Sequence, residues 1–270
     1  MTAPTPPPPA PRPARLPEAK TVDDVLRNID QIIDWAIKAE SHIGYFAVVY
    51  KRVTRVIRDA INSGGQFADA KRVARLDVAF AQRYFDALNA YFYAEEFGGL
   101  TLPWEVTFVG AQDRHAIILQ HLMSAFNAHI TFDLGMACLA VAPGALSSLE
   151  KDFFRVNKLL CDQIPGVVGV LQQLSPELRW TRRLLPDELA VFNRMLERLR
   201  DGAWLFAFYM DKYPERASQK RVNQAVWTAT LGSWYLHPPA RLTPFPWLVG
   251  AIAKHESRNV VDNIRAFEKM

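Results

Sequence analysis

The chain of 270 residues carries a formal net charge of +4, and half of its residues are hydrophobic. This composition allows a sizeable buried core, and so small a basic excess does not indicate a nucleic-acid partner. No apolar run approaches the roughly 18 residues of a membrane-spanning helix, so we expect no transmembrane segment.

The cysteines and the N-terminus indicate the compartment. Cys138 and Cys161 are the two cysteines, and they lack the CxxC or Cys/His spacing of a zinc knuckle or redox motif. Both lie in apolar helical patterns, where a free thiol behaves as a small hydrophobic side chain. The N-terminus has no apolar region before its first charged residues, unlike a secretory signal. We therefore predict a cytoplasmic protein.

The first residues form a proline-rich tail, with eight prolines among the first 17 residues. Proline fixes φ and removes backbone donors, so an extended, solvated arm is expected. Two interpretations remain open: disorder alone, which the composition favours, or a segment that binds an SH3-like protein partner. We predict a disordered tail over residues 1–20 and one helical domain over residues 21–270.

The rest of the chain shows helical periodicity. Thr21 is a predicted N-cap, followed by two aspartates in the first turn. No segment keeps the two-residue alternation of a strand, so the predicted fold is all-α, a single-domain bundle of about eight or nine helices. The first predicted helix begins at Thr21, and the next three span about 45–61, 69–97 and 113–141. Three more helices lie in ALSSLEKDFFRVNKLLCDQI, PDELAVFNRMLERLRDGAWLFAFYM and QKRVNQAVWTATLGSWYL, and the last spans about 246–267.

The stretch LQHLMSAFNAHITFDLGMACLA, residues 119–140, is an apolar helical pattern that carries polar side chains. At 100° per residue, Leu122, Phe126, His129 and Asp133 share one stripe that should face the core. His129 and Asp133 are four residues apart and therefore lie one turn from each other. A buried imidazole and carboxylate need partners, because uncompensated burial of an ionised group is costly.

Three arrangements would satisfy this pair. A divalent transition metal such as zinc, manganese or iron would accept His129 and Asp133, with His121 and a carboxylate such as Asp86 as further ligands. Alternatively, His129 is a general base or acid and Asp133 orients it. In the third arrangement Asp133 fixes an imidazole or an arginine from another helix as a structural network, an interpretation about as well favoured as the two functional ones together.

Two other carboxylates and one aromatic segment have ambiguous roles. Asp86 lies on a side of its helix with other polar residues, which favours a solvated polar face. Asp77 is predicted to form a surface pair with Arg75. The segment WLFAFYM, which contains Trp204, is apolar all round, so its helix is either central or lines an apolar pocket.

Three segments resemble a bacterial family catalogued as domain of unknown function 5995: RLDVAFAQRYFDALNAY, LQHLMSAFNAHITFDLGMA and EKDFFRVNKLL. The resemblance covers roughly residues 22–267. The family pattern NAHIxxDL after LQH maps onto His121, Asn127, His129 and Asp133, and YFDAL maps onto Asp86. LMSAFNAH replaces the family's glycine- and methionine-containing lead-in. The resemblance implies an α-helical domain whose His and Asp positions recur together, and it brings no established reaction.

Together these patterns predict an enzyme that acts on a small hydrophobic molecule between helices. His129 and Asp133 are the predicted catalytic residues, with metal-dependent hydrolysis as one mechanism. Asn127 and Trp204 are the predicted substrate contacts. The alternative is a non-catalytic helical module that binds an apolar ligand or a protein partner, in which His129 and Asp133 form a buried network.

Overall fold

The computed structural model describes residues 11–178, 188–242 and 244–270. These residues form helices and connecting segments with no β-strand among them, which confirms the predicted all-α class. Short 3-10 turns link several of the helices. The α-helices are α1 Val22–Lys38, α2 Ile43–Ser63, α3 Ala70–Phe92, α4 Leu102–Gly110, α5 Ile118–Phe126, α6 Leu134–Val141, α7 Glu150–Cys161, α8 Ile164–Leu174, α9 Glu188–Lys212, α10 Ala217–Leu236, α11 Phe245–Ala253 and α12 Val260–Glu268.

The described chain has more helical segments than the eight or nine predicted. The sequence predicts no helix between residues 97 and 113, but α4 lies within this stretch, with Pro103 in its first turn, where a missing N–H costs nothing. The predicted last helix is divided into α11 and α12. Asn259 begins the second of them by accepting a hydrogen bond from the backbone N–H of Asp262 at 3.0 Å.

The predicted start of α1 is confirmed at Thr21. The Thr21 side chain accepts from the N–H of Asp24, and the Asp24 carboxylate accepts from the N–H of Thr21, which is a capping box. The apolar stripe of α1 then packs on α2, with Val25 and Ile29 fully buried. Helix α12 packs against both α1 and α2, and the absence of a side chain at Gly44 of α2 leaves room for Ile264 of α12 and Ala36 of α1.

Residues 11–20 lie as an extended segment along α1 and α3 and make specific contacts with them. Pro13, Leu16 and Ala19 are buried, which is the three-residue repeat of a polyproline II helix. Asn89 of α3 binds both the N–H and the C=O of Leu16, each at 2.9 Å. Over these residues the chain therefore differs from the disordered tail predicted from sequence, because helix side chains satisfy its backbone groups. Residues 1–10 of the predicted tail lie outside the described residues.

A central helix runs through the bundle. It consists of α5, a π-helical segment Asn127–Asp133 and α6, and it contacts α2, α3, α4, α9 and α10. Because neighbouring helices surround it, the π-helical segment has buried side chains around its whole circumference. Within the described residues, no single helix has the length and apolar composition of a membrane span, although the bent pair Ile118–Val141 and Leu146–Leu174 reaches both when taken together.

Candidate functional site

The π-helical segment Asn127–Asp133 determines where the candidate site lies. The sequence predicts a continuous α-helix here, but the structure widens one stretch of it into a π-helix. Such segments are uncommon and occur frequently at functional sites. His129 and Asp133 retain their four-residue spacing within it and are 2 % and 1 % exposed, which confirms that both point into the core.

Asp133 is held by two neighbouring helices. Its Oδ1 accepts a hydrogen bond from Nε of Arg83 on α3 at 2.8 Å, and its Oδ2 accepts from Nε1 of Trp104 on α4 at 2.6 Å. Trp104 is fully buried and Arg83 is partly exposed. A carboxylate with an ionic and an indole donor is well satisfied. Asp133 therefore joins α3, α4 and the central helix.

His129 has one ring nitrogen next to this carboxylate and one that is unpartnered. Its Nδ1 lies 3.5 Å from Oδ2 of Asp133, at the limit of a hydrogen bond. Since a carboxylate accepts only, this contact places the proton on Nδ1 and the lone pair on Nε2. Among the described residues, Nε2 is buried without a hydrogen-bond partner. Burial lowers the pKa of His129 and Asp133 opposes that effect, so the ring is neutral at pH 7.

Aromatic rings fix the plane of the His129 imidazole. The ring stacks on Phe80, with centroids 3.6 Å apart and planes 8° from parallel. Tyr50 meets it edge-on, with centroids 4.8 Å apart. Such contacts restrict rotation of the ring and keep its two nitrogens in distinct surroundings.

A cavity of about 100 Å³ lies against His129. Helices α2, α3, α5, α7, α8 and α9 and the π-helical segment contribute its walls. Nearly all of the lining is apolar, with Phe46, Val167 and Met195 as representative members. His129, Gln163 and Arg200 are among the few lining residues with polar groups, and Gln163 already accepts a hydrogen bond from Arg52 at 3.0 Å. An apolar cavity of this size binds apolar molecules rather than water.

A second cavity of about 40 Å³ adjoins the first, and Tyr50, Phe80 and Arg200 line both. Asp77 also lines it and is 4 % exposed, so the predicted surface pair with Arg75 is wrong. Asp77 lies on the core side of α3, where burial raises its pKa to about 7. In the described chain, Oδ2 of Asp77 and the hydroxyl of Tyr50 have no hydrogen-bond partner.

Of the four predicted metal ligands, His129 and Asp133 lie together, and His121 and Asp86 lie elsewhere. His121 stacks on His42, with ring centroids 4.4 Å apart. Burial is the main cause that lowers the pKa of His121 to about 3, and the charge of His42 is the second. Asp86 is exposed and accepts from Gln82 at 2.7 Å. No group of three or more His, Cys, Asp or Glu side chains in the described ranges could hold a metal ion. The zinc, manganese or iron site therefore stays a prediction without an assembled ligand set.

The two predicted substrate contacts lie away from the cavity. Nδ2 of Asn127 donates to the C=O of Thr228 on α10 at 2.7 Å, and its Oδ1 accepts from Thr131. Trp204 packs on Phe153, with ring centroids 4.8 Å apart. Neither lines the cavity beside His129. Their contacts are those of residues that hold helices together.

Sequence reasoning missed the residues that surround His129. Tyr50, Phe80 and Met195 lie on ordinary amphipathic helices, and nothing in their spacing marks them as neighbours of the histidine. Arg200 carried one usable signal, because helical periodicity places it one turn after Leu196 on an apolar side of α9. A cation on an apolar stripe indicates either a buried pair or a ligand contact.

Comparisons with known proteins identify a family and no activity. No curated protein and no solved structure matches the chain. A family model described as "Family of unknown function (DUF5995)" matches residues 22–238, which include the central helix and the cavity. This match confirms the resemblance carried by the LQH, NAHITFDL and YFDAL segments. The chain belongs to the DUF5995 family.

Proposed function

We propose that this protein binds a small, largely apolar molecule in the cavity beside His129. The apolar lining of that cavity is the observation that carries the proposal, since burying apolar ligand surface there contributes about 25 cal/mol per Å². His129 is one of the lining residues, and its Nε2 is a hydrogen-bond acceptor without a partner among the described residues. A pocket that is mostly apolar with few polar groups is typical of small-molecule sites.

The size of the cavity limits the ligand. An engineered cavity of about 150 Å³ accommodates benzene, so a cavity of about 100 Å³ by itself holds an apolar body no larger than benzene. Half-buried side chains such as Met195 and Leu196 form part of the cavity wall and can move to admit a somewhat larger ligand. A single ring or a short alkyl chain therefore fits better than a sterol or a long acyl chain.

Filling the cavity should abolish this binding. In Val167→Trp, the indole replaces a half-buried lining side chain on α8 and occupies the space that the ligand needs. We expect calorimetric titration with 1-octanol to show saturable binding to the wild type and an affinity at least about tenfold lower in Val167→Trp, equal to about 1.4 kcal/mol.

Val191→Trp is the matched control for that experiment. Val191 lies on α9, is 43 % exposed and does not line the cavity, so this variant should bind 1-octanol as the wild type does. Circular dichroism establishes that both variants are folded. Lack of saturable binding by the wild type, or undiminished binding by Val167→Trp, would contradict the proposed function.

A second candidate function is acid–base catalysis on the same molecule by His129. The observation that favours it is the contact between Nδ1 of His129 and Asp133, which leaves a lone pair on Nε2 of a residue that lines the cavity. A neutral imidazole oriented by a carboxylate is a common general base. In this function His129 takes a proton from the ligand, and Asp133 stabilises the imidazolium that forms.

A further inference from the structure

Arg200 of α9 is a buried cation with few partners. Its side chain is 4 % exposed, and burial lowers its pKa to about 10. Nε donates to Oδ1 of Asn157, and the guanidinium lies 4.9 Å from the ring centroid of Phe153. Among the described residues, no carboxylate lies within ion-pair distance of Arg200, and no other group accepts a hydrogen bond from it. A buried charge in this condition needs an anionic partner.

The position of Arg200 shows where that partner would lie. The side chain lines both the cavity beside His129 and the adjoining smaller cavity. Tyr50 and Asp77 line the smaller cavity, and within the described ranges the Tyr50 hydroxyl and Oδ2 of Asp77 are buried without a hydrogen-bond partner. Arg200 therefore brings a positive charge to both cavities, and most of the remaining lining is apolar.

We propose that the ligand is a small apolar carboxylic acid whose carboxylate is bound by Arg200. This inference rests on the proposed function, because it assigns a head group to the ligand of the same cavity. The planar guanidinium matches the two oxygens of a carboxylate. The adjoining cavities of about 100 and 40 Å³ together suit an apolar body of about six carbon atoms, and the adjustable side chains in the wall allow a slightly longer chain. A phosphate, with a charge of about −1.5 to −2, would need more than one cation, and Arg200 is the one cationic residue among the described lining residues.

The test compares three probes that share one alkyl chain: octanoate, 1-octanol and octylamine. We expect the wild type to bind octanoate at least about tenfold more tightly than 1-octanol, since hydrogen bonds to charged groups are the stronger ones. Octylamine should bind most weakly, because its ammonium would lie beside the guanidinium.

Arg200→Gln should remove the preference for octanoate while 1-octanol still binds. Arg194→Gln is the matched control, because Arg194 lies on the same helix, is exposed and does not line the cavity. This control should keep the full preference. Arg200→Lys retains the charge and should still bind octanoate more tightly than 1-octanol. It serves as a second variant if Arg200→Gln does not fold.

The outcomes separate this inference from the proposed function. If the wild type binds all three probes with equal affinity, or octylamine as tightly as octanoate, the assignment of the carboxylate to Arg200 is overturned and the apolar binding site stands. If none of the probes binds, the proposed function fails as well. Retention of the octanoate preference in Arg200→Gln would also overturn the inference.

Discussion

Replacing Asp133 by alanine should lower the free energy of unfolding by about 3 kcal/mol, the lower end of the usual cost of breaking a buried ion pair, because Arg83 is partly exposed. The variant leaves the guanidinium of Arg83 without its carboxylate and the buried indole N–H of Trp104 without its acceptor. Urea unfolding at pH 7 of the wild type and Asp133→Ala gives this difference directly.

Asp86→Ala is the control for Asp133→Ala. Asp86 lies on the same helix as Arg83 but is exposed and binds only Gln82 among the described residues. We expect its replacement to change the free energy of unfolding by less than about 0.5 kcal/mol. A loss below about 1 kcal/mol in Asp133→Ala, or equal losses in the two variants, would show that Asp133 does not anchor the central helix.

Replacing Asp77 by asparagine should stabilise the protein at pH 8 by up to about 4 kcal/mol. Burial raises the pKa of Asp77 to about 7 in the folded chain, against an ordinary value of 3.8. The folded state therefore keeps its proton up to about pH 7, whereas the unfolded state releases it near pH 4. Stability is lost between these values as pH rises, by about 1.4 kcal/mol for each pH unit.

The pH dependence distinguishes this effect from a general gain in packing. Asparagine does not titrate, so the advantage of Asp77→Asn should be close to zero at pH 4 and largest at pH 8. Denaturant unfolding of both proteins at the two pH values measures it, with the exposed Asp34→Asn as a variant expected to show no such change. An advantage for Asp77→Asn that is the same at both pH values would contradict an ionisable, unpartnered Asp77.

Much of the fold follows from periodicity. The spacing of apolar residues in α1, α2 and α3 predicts those helices, and Thr21 predicts the start of the first. The π-helical segment could not be predicted, because its seven residues show no local signal and its geometry depends on neighbours from several helices. The packing of residues 11–20 on the helices could not be predicted either, because it depends on Asn89 of α3, which lies far away in the sequence.

The candidate site was predictable only in part. The four-residue spacing of His129 and Asp133 on an apolar stripe predicts that both are buried close together, and they are. An arginine from another helix was one predicted partner of Asp133, and Arg83 is that residue. The Trp104 contact could not be predicted, nor could the lack of a partner for Nε2 of His129 among the described residues. Those contacts come from α3 and α4, whose order around the central helix the sequence does not reveal.

The most direct test of the central claim is the state of the His129 imidazole with and without a ligand. In ¹⁵N nuclear magnetic resonance spectra at pH 7, with the signals assigned by their loss in His129→Phe, we expect a protonated Nδ1 and an unprotonated Nε2. Addition of 1-octanol should shift the Nε2 signal, because the ligand hydroxyl donates to that nitrogen. A protonated Nε2, or an Nε2 signal that does not respond to saturating 1-octanol, would contradict a ligand site at His129.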